Sequence, residues 1–328
     1  MRIAIAGLKG HQGVVVEGIA RVPGAQIVAA SDDEPGKAEA LAGLSCAAPD
    51  LRTYQDWRQM LDEVEIDILV EAGVDSERAD VICAALDRRL HVLAEKPLAW
   101  NLEGLKRVRD ALEGSRACLS MLLTMRYDPL YRAVRRAVQS GRVGRVCLAS
   151  MQKSYRLGQR PAWQRDRRTF SGIIPFIGIH ALDLIVWTTG LKPVSGFAYQ
   201  GNTGHPEIGH MEDNAVVALE LEGGAHGDLR LDYCRPALAP THGDDRLRVA
   251  GSEGVVEAFG AEGRVTLLTN DEEPQELAPQ TTPDLFVEFV EAANSGGEAP
   301  IPAGECLAVT EWTLRLRECA KSGEVARF

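Results

Sequence analysis

The hydrophobic positions of the first 122 residues alternate between short apolar runs and longer amphipathic stretches. Amphipathic spacing over residues 76–88, and over the stretch that follows Asn101 as its cap, predicts helices between the apolar runs. Strand–helix units joined by short connections predict an α/β domain with a doubly wound parallel sheet covered on both faces. We place this first domain at residues 1–122. Its predicted buried strands lie at 2–6, 26–32, 66–71, 91–95 and 117–122.

The pattern is weaker between the second and third of these strands. After Asp32 the spacing predicts a helix at 37–42, and a connection without regular structure extends to Tyr54. A short helix at 56–61 follows, with Asp56 as its cap. No strand is predicted in this part of the chain.

After residue 122 the pattern changes to strands that are separated by hairpin signals. Turns such as 222–224 and 251–254 carry paired glycines between apolar runs. Residues 123–328 are therefore predicted to form an α+β domain built on a largely antiparallel open sheet. Its predicted strands lie at 146–151, 194–200, 215–221, 225–231, 247–250, 255–258 and 265–268.

Helices complete the second predicted domain. Pro129 marks the start of one helix, and Gly141 marks its end. Two more helices are predicted near Pro283 and after Pro302, and the last has an apolar stripe typical of a core face. We allow for this terminal helix to pack back on the first domain.

Composition excludes several classes of function. The chain of 328 residues has a net charge of -11, whereas nucleic acids and acidic membranes are bound by basic surfaces. No apolar run reaches the roughly 20 residues that span a bilayer. The seven cysteines are scattered without C-x-x-C spacing, which favours reduced thiols and no metal site. The chain begins within a predicted strand, without a charged leader, so we expect a cytoplasmic protein.

A glycine-rich turn follows the first strand, with the spacing G-x-x-G-x-x-G. A glycine turn that leads into a helix lets backbone N–H groups approach a diphosphate closely. The dinucleotide fingerprint is G-x-G-x-x-G, so Lys9 replaces its second glycine, and an ordinary βα turn is the alternative interpretation. The residues of this turn that we expect to bind a cofactor are Gly7, Leu8, Lys9, Gly10, His11 and Gln12.

An acidic residue ends the second strand. Asp32 stands where a dinucleotide-binding domain needs an acceptor for ribose hydroxyls. Asp33 and Glu34 add negative charge, and no Lys or Arg follows until Lys37. A 2′-phosphate would be repelled there, so the sequence favours NAD over NADP.

Glu95, Lys96 and Pro97 lie at the carboxyl end of a predicted strand, which is where doubly wound sheets bind their ligands. Pro97 restricts the chain directly after Lys96 and is compatible with a cis bond. A lysine here can donate a hydrogen bond to a substrate hydroxyl and stabilise negative charge on its oxygen. A salt bridge at the strand end is the alternative.

An almost wholly apolar segment at 171–187 carries His180 and Asp183, three residues apart on one face of a predicted helix. A histidine on such a face is either a core residue or a catalytic group. In the catalytic interpretation, Asp183 is its structural partner or a cap for neighbouring backbone.

These motifs together resemble a known family. The resemblance is to the glucose-fructose oxidoreductase / inositol dehydrogenase / MocA-like family, and it covers nearly the whole chain. It implies a Rossmann domain followed by an open-sheet domain whose outer face builds homodimers or homotetramers. The motifs that carry it are the Gly7 turn, Asp32, Glu95-Lys96-Pro97, Arg126-Tyr127-Asp128-Pro129 and Gly178-x-His180-x-x-Asp183.

The resemblance implies NAD(P)-dependent oxidation of a sugar or polyol hydroxyl, with hydride passing from carbon to nicotinamide. It assigns Lys96 to substrate and cofactor contact, and His180 to removal of the hydroxyl proton as general base. It also leads us to expect Glu95 beside the cofactor and Arg126 beside the substrate.

Two places depart from the family pattern. The family commonly has an aspartate four residues before the histidine, where this chain has Phe176. Phenylalanine can neither accept a proton nor polarise His180, so we expect Phe176 to line a reshaped substrate pocket. The Thr-Pro that often follows the fourth strand is replaced by residues 72–75, which leaves the nicotinamide-side contacts undefined.

Five arginines lie in a segment that the resemblance places near the substrate. Arginine forks suit carboxylates and phosphates, so an acidic sugar or sugar phosphate is one interpretation, and ion pairing with acids of this chain is the other. Tyr155 and Trp163 are candidates for an apolar wall against a sugar ring. The arginines are Arg156, Arg160, Arg165, Arg167 and Arg168.

The sequence thus predicts an NAD-dependent dehydrogenase acting on CH–OH groups of a small sugar or polyol, without a nucleic-acid or membrane partner. Two alternatives stay open. One is a non-catalytic regulator that binds a dinucleotide and a sugar, motivated by Phe176. The other is a redox-neutral enzyme with tightly bound NAD, such as a glycosidase or an epimerase.

Overall fold

The computed structural model describes residues 1–328, and the chain forms two compact units. The first unit contains Met1–Leu122 and Pro283–Thr310, and the second contains Leu123–Thr282 and Glu311–Phe328. Residues 283–310 group with the first unit, whereas the sequence analysis drew the second domain at 123–328 and allowed its terminal helix to pack back on the first. The reason is tertiary packing, because a Cβ built on Gly18 would lie 2.5 Å from the Cβ of Phe286.

A six-stranded parallel sheet forms the centre of the first unit. Its strands are β1 (Arg2–Ala6), β2 (Gln26–Ser31), β3 (Ala47–Tyr54), β4 (Ile68–Glu71), β5 (His91–Ala94) and β6 (Leu119–Met121). They lie in the order β3-β2-β1-β4-β5-β6. The order reverses between β1 and β4, and ligands of doubly wound folds bind in the crevice at the carboxyl ends of the strands beside such a reversal.

Eight α-helices occur in the chain, and local capping sets several of their first residues. The predicted caps Asp56 and Asn101 are confirmed, and Asp128 caps a third helix, because each side chain accepts a backbone N–H from the first turn of its helix. The helices are α1 (Gln12–Ile19), α2 (Trp57–Glu63), α3 (Asp75–Asp87), α4 (Leu102–Glu113), α5 (Pro129–Gln139), α6 (Ile179–Thr189), α7 (Leu285–Ser295) and α8 (Ala303–Ser322).

The segment after Asp32 differs from the prediction in two ways. The expected helix at 37–42 is a short 3-10 helix at Glu39–Gly43. The expected irregular connection contains the edge strand β3, which pairs only with β2. The edge position explains why the pattern hid this strand, since most of its side chains reach solvent and Pro49 is tolerated there.

A nine-stranded sheet forms the centre of the second unit, and all its neighbouring pairs are antiparallel except β7 with β10. Its strands are β7 (Val146–Tyr155), β8 (Pro193–Gly201), β9 (Asn214–Leu221), β10 (His226–Asp232), β11 (Gly243–Gly251), β12 (Gly254–Phe259), β13 (Arg264–Thr269), β14 (Gln275–Glu276) and β15 (Ala326–Arg327). The predicted fold class, a parallel α/β domain followed by a largely antiparallel α+β domain, is confirmed. No helix is long and apolar enough to cross a membrane.

Candidate active site

The Gly7 turn lies at the carboxyl end of β1, beside the loop that follows β4. Gly7 has a φ of +82°, and a Cβ there would lie 2.3 Å from the Cα of Gly73. Only glycine permits this close approach of two backbone segments. The Gly7 N–H donates to the Ser31 carbonyl at 2.8 Å, and the Lys9 N–H donates to the Ala72 carbonyl at 2.8 Å. The turn is therefore held firmly between two neighbouring strands.

Helix α1 begins directly after this turn and presents an uncapped N-terminus. His11 precedes the helix without a side-chain capping bond, and the first turn contains no acidic residue. Gln12 Oε1 accepts the Gly10 N–H at 2.9 Å, and a Cβ on Gly13 would meet nothing within 4 Å. A helix N-terminus without a carboxylate favours a bound diphosphate. The cradle at Gly7 and this helix end fit a dinucleotide.

Asp32 lies at the end of β2 and is only 5% exposed. Its Oδ2 accepts the Leu8 N–H at 2.7 Å, and its Oδ1 accepts the Glu34 N–H at 2.9 Å. These bonds hold the carboxylate at the carboxyl edge of the sheet, where an acceptor for ribose hydroxyls is required. A pocket opens beside it and has apolar as well as polar walls, which suits an adenosine. Its lining includes Asp32, Trp57, Gly73, Val74 and Val81.

Lys9 reaches the acidic cluster Asp32-Asp33-Glu34, which is a contact that the sequence analysis missed. Its Nζ lies 3.1 Å from Asp32 Oδ1, 2.6 Å from Asp33 Oδ1 and 2.9 Å from Glu34 Oε1. Burial opposes the charge on Lys9, but its hydrogen bonds to the three carboxylates outweigh burial and raise its pKa. Hydrogen bonds from Lys9 and Lys37 lower the pKa of Glu34 to about 2. A cation therefore reaches Asp32 from the glycine turn, although no Lys or Arg follows Asp32 in the sequence until Lys37.

Glu95 connects the strand end of β5 to the glycine turn. Its Oε1 lies 2.7 Å from His11 Nδ1 and also accepts the His11 backbone N–H. Gly10 leaves the space for this side chain, because a Cβ there would lie 2.3 Å from Glu95 Oε1. Burial opposes ionisation of Glu95, but the charge and hydrogen bond of His11 outweigh it and hold the pKa well below the usual range. Glu95 thus fixes the shape of the predicted cofactor turn.

Lys96 follows Glu95 and is 3% exposed. Its backbone N–H donates to Glu95 Oε2 at 3.2 Å, and the Lys96–Pro97 peptide bond is cis. The residue lies at the carboxyl edge of the same sheet as the Gly7 turn and Asp32. A buried ammonium at this edge can act on a ligand bound there.

A buried ionic network, also missed by the sequence analysis, supports this edge of the first unit. Arg78 Nε lies 2.6 Å from Glu71 Oε2, and its Nη1 lies 3.0 Å from Asp75 Oδ1. The same guanidinium donates to the Gly73 carbonyl at 2.8 Å and to the Pro97 carbonyl at 3.0 Å. One side chain therefore ties the loop that cradles Gly7 to the peptide that follows Lys96. The charged Glu71 at the end of an apolar strand was the available sequence signal.

His180 belongs to the second unit and lies in the first turn of α6, where it is buried. A turn of π-helix at Ile174–Gly178 precedes α6, and π-turns are frequent at functional sites. Phe176 lies in this turn within an aromatic cluster, with its ring centroid 5.1 Å from that of Phe170 and 5.9 Å from that of Trp163. The position where the family has an acid is therefore part of an apolar wall.

Arg126 and Asp183 form a buried bidentate pair in the second unit. Arg126 Nε donates to Asp183 Oδ2 at 2.9 Å, and Arg126 Nη2 donates to Asp183 Oδ1 at 2.5 Å. Asp183 is thus a partner of Arg126 on the helix that carries His180. Arg126 supports that helix, and its predicted substrate contact stays a prediction.

Three of the arginines that follow β7 differ in their partners. Arg167 pairs with Glu212, and Arg168 pairs with Asp166 at 2.5 Å, which is the ion pairing that the sequence left as one alternative. Arg160 instead lies over a ring, with its guanidinium carbon 4.0 Å from the ring centroid of Tyr233.

Tyr155 ends β7 beside a buried lysine that the sequence analysis did not identify. The Tyr155 hydroxyl donates to Asp245 Oδ2 at 3.0 Å, and Lys153 Nζ donates to the same oxygen at 2.7 Å. The Tyr155 ring lies 6.4 Å from the ring centroid of Tyr233. Tyr155 and Tyr233 therefore belong to one aromatic cluster, whereas Trp163 packs on the Phe176 cluster.

Comparisons with known proteins match both units. Residues 1–122 match a family model described as an oxidoreductase family with an NAD-binding Rossmann fold, and residues 131–257 match the GFO/IDH/MocA C-terminal domain. The full chain superposes on a solved structure from Thermotoga maritima with a TM-score of 0.93 and 30% identity, covering 100% of both chains. The predicted NAD-binding Rossmann domain is confirmed.

Curated relatives include inositol dehydrogenases. Inositol 2-dehydrogenase 2 of Saccharopolyspora erythraea is 28% identical over 64% of this chain and 60% of its own length. Myo-inositol 2-dehydrogenase of Thermotoga maritima is 24% identical over 83% of this chain and 79% of its own length. The matched part of the chain spans about 60% of the length of the first of these relatives.

Proposed function

Because the chain belongs to the Gfo/Idh/MocA family of oxidoreductases, we propose that it is an NAD-dependent dehydrogenase that oxidises a CH–OH group of a small sugar or polyol. One observation carries the proposal. The buried Lys96 lies at the same sheet edge as a Gly7 cradle and an Asp32 carboxylate that fit a dinucleotide. The names of the inositol dehydrogenase relatives support a cyclic polyol as the first substrate to test.

Two side chains act on the reacting hydroxyl in the proposed reaction. NAD supplies the hydride acceptor when bound. The Lys96 ammonium donates a hydrogen bond to the reacting hydroxyl and stabilises the negative charge that grows on its oxygen. His180 accepts the hydroxyl proton as general base and later returns it to water. The substrate carbon loses hydride, and a carbonyl compound is released.

Phe176 affects the proposed role of His180, because it replaces the acid that the family commonly has at this position. No acid stands at that position, and Asp183 is engaged by Arg126. His180 therefore removes the proton without a carboxylate at position 176, and the Phe176 cluster gives the substrate pocket an apolar wall.

The proposal is tested by incubating the protein with NAD and with inositols, neutral sugars and sugar acids in turn. NAD reduction is detected by the absorbance of reduced nicotinamide. We expect reduction with one substrate class. Tight NAD binding without reduction by any compound would contradict the dehydrogenase and leave the non-catalytic regulator and the redox-neutral enzyme as the alternatives.

Lys9→Ala is expected to lower the affinity for NADP by about tenfold or more while changing NAD affinity by less than about threefold. The substitution leaves the carboxylates of Asp32, Asp33 and Glu34 without their shared cation, so a 2′-phosphate meets stronger repulsion. Titrations with each cofactor measure the change. Lys37→Ala is the matched control, since Lys37 contacts only Glu34 from the exposed side. Equal losses for both cofactors in Lys9→Ala would disprove this role.

We propose that two copies of the chain associate through the outer face of the second unit's sheet. Tyr199, at 67% exposed, faces Val216, at 46% exposed, across β8 and β9. Exposed apolar side chains that adjoin each other on a sheet are typical of an interface. We expect a dimer or tetramer in analytical ultracentrifugation and dissociation in Tyr199→Asp, with Leu238→Asp as the surface control. A monomeric wild type would contradict this proposal.

A further inference from the structure

Two arginines in the loop after β7 have no carboxylate partner in this chain. Arg160 makes only long hydrogen bonds, at 3.5 Å to Gln164 Oε1 and at 3.5 Å to the Arg156 carbonyl. Arg156 donates to the Ala239 carbonyl. The Nε atoms of both arginines are buried and make no hydrogen bond. The two guanidinium groups therefore have donors that the protein itself does not satisfy.

Several acids of the second unit are engaged by other cations. No ion pair joins Arg156 or Arg160 to any of them. The pairs are Glu212 with Arg167, Asp166 with Arg168, Asp245 with Lys153, and Asp244 with Arg235 and Arg246. Arg156 and Arg160 are thus partly buried cations of this segment without an acid, whereas Arg165 is exposed to solvent.

Burial makes this excess charge costly. A guanidinium that leaves water loses solvation that only an anion or a full set of acceptors replaces. Burial lowers the pKa of Arg160, as expected for a cation without a compensating acid. The Tyr233 ring offers Arg160 a cation–π contact at 4.0 Å, which does not satisfy its N–H donors. The arrangement suits an external anion, because guanidinium forks bind carboxylate and phosphate oxygens in pairs.

The same loop leads to the proposed substrate pocket. It continues from Arg160 to Trp163, whose ring centroid lies 5.9 Å from that of Phe176. Phe176 precedes His180 by four residues, in the π-turn that leads into the same helix. Arg160 also stacks on Tyr233, whose ring lies 6.4 Å from that of Tyr155. Arg160 therefore adjoins the pair formed by the fully buried Tyr233 and the partly exposed Tyr155, and Tyr155 is the ring of this pair that a sugar can reach.

We infer that Arg156 and Arg160 bind the anionic group of the substrate, so that the preferred substrate is an acidic sugar or polyol carrying a carboxylate or a phosphate. This inference rests on the proposed dehydrogenase function and narrows its substrate class. Arg167 and Arg168 have no part in it, since their own acids neutralise them.

The test compares kcat/KM for NAD reduction with matched neutral and acidic compounds: glucose, glucuronate and glucose 6-phosphate. We expect the wild type to prefer an acidic member by at least about tenfold, and Arg160→Gln to lower kcat/KM for that member by about 10- to 100-fold. Arg160→Lys is expected to recover part of the loss, because it restores the charge without the fork. Arg168→Gln is the matched control, since Arg168 is exposed and paired with Asp166. If Arg160→Gln lowers kcat/KM more for glucuronate, the site binds a carboxylate. If it lowers kcat/KM more for glucose 6-phosphate, the site binds a phosphate.

A second readout separates failure of this inference from failure of the proposed function. The thermal midpoint of the wild type and of Arg160→Gln is measured with each of the three compounds, without NAD. An acidic compound that raises the thermal midpoint of the wild type but not that of Arg160→Gln would support the anion site. If no compound then reduced NAD, the dehydrogenase function would be contradicted. The inference would be overturned if kcat/KM for NAD reduction were equal for neutral and acidic compounds and if Arg160→Gln left the ratio of these values unchanged. The proposed dehydrogenase function would not be affected by that result.

Discussion

Lys96→Ala is expected to lower kcat for NAD reduction by about 10²- to 10³-fold while NAD binds nearly as tightly as in the wild type. The substitution removes the ammonium that stabilises negative charge on the substrate oxygen. The groups that fit the dinucleotide, the Gly7 cradle and the Asp32 carboxylate, are untouched. Steady-state kinetics and a fluorescence titration with NAD measure the two effects separately.

The matched control for this substitution is Lys106→Ala. Lys106 is an exposed lysine of α4 in the same unit, and it pairs with Asp110 at 2.6 Å. Its loss is expected to leave kcat and NAD affinity unchanged, because exposed pairs contribute little. Normal turnover by Lys96→Ala would contradict the proposed role of this lysine. If Lys96→Ala weakened NAD binding but left kcat unchanged at saturating NAD, Lys96 would only contact the cofactor.

His180→Gln is expected to lower kcat by about 10²- to 10⁴-fold, the usual contribution of a general base. The second expected effect concerns pH. The wild-type rate should rise with pH as the imidazole loses its proton, and glutamine removes that titration. A profile of kcat/KM against pH for both proteins measures this. His226→Gln is the control, because His226 is exposed on β10 of the same unit. A variant that retains both the rate and the ascending limb would show that another group accepts the proton.

Local signals in the sequence predict most of the architecture. Strand periodicity and the caps Asp56 and Asn101 act within a few residues, so they can be recognised without knowledge of the fold. The edge strand β3 was missed because its exposed side chains remove the apolar pattern. Residues 283–310 were assigned to the other domain because their place in the first unit depends on long-range packing, such as that of Phe286 on Gly18.

The candidate site shows the same contrast between local signals, which the sequence reveals, and long-range contacts, which it does not. Lys96 and His180 could be singled out because their neighbours in sequence form motifs. The contact of Lys9 with Asp32 joins residues 23 positions apart. Arg167 is ion-paired and Arg160 is not, because Glu212 lies beside Arg167. No local pattern in the sequence relates Glu212 to either arginine. Partners of charged side chains are set by tertiary structure, and they decide which charges are left for a ligand.

The most direct test of the proposed hydride transfer follows deuterium from substrate to cofactor. The best substrate of the panel is prepared with deuterium at its CH–OH carbons and incubated with NAD and the wild-type protein, and the reduced cofactor is analysed by mass spectrometry. The proposed hydride transfer predicts one deuterium in each NADH and one oxidised product for each NADH formed. Product formation without NADH, or NADH without deuterium, would contradict it.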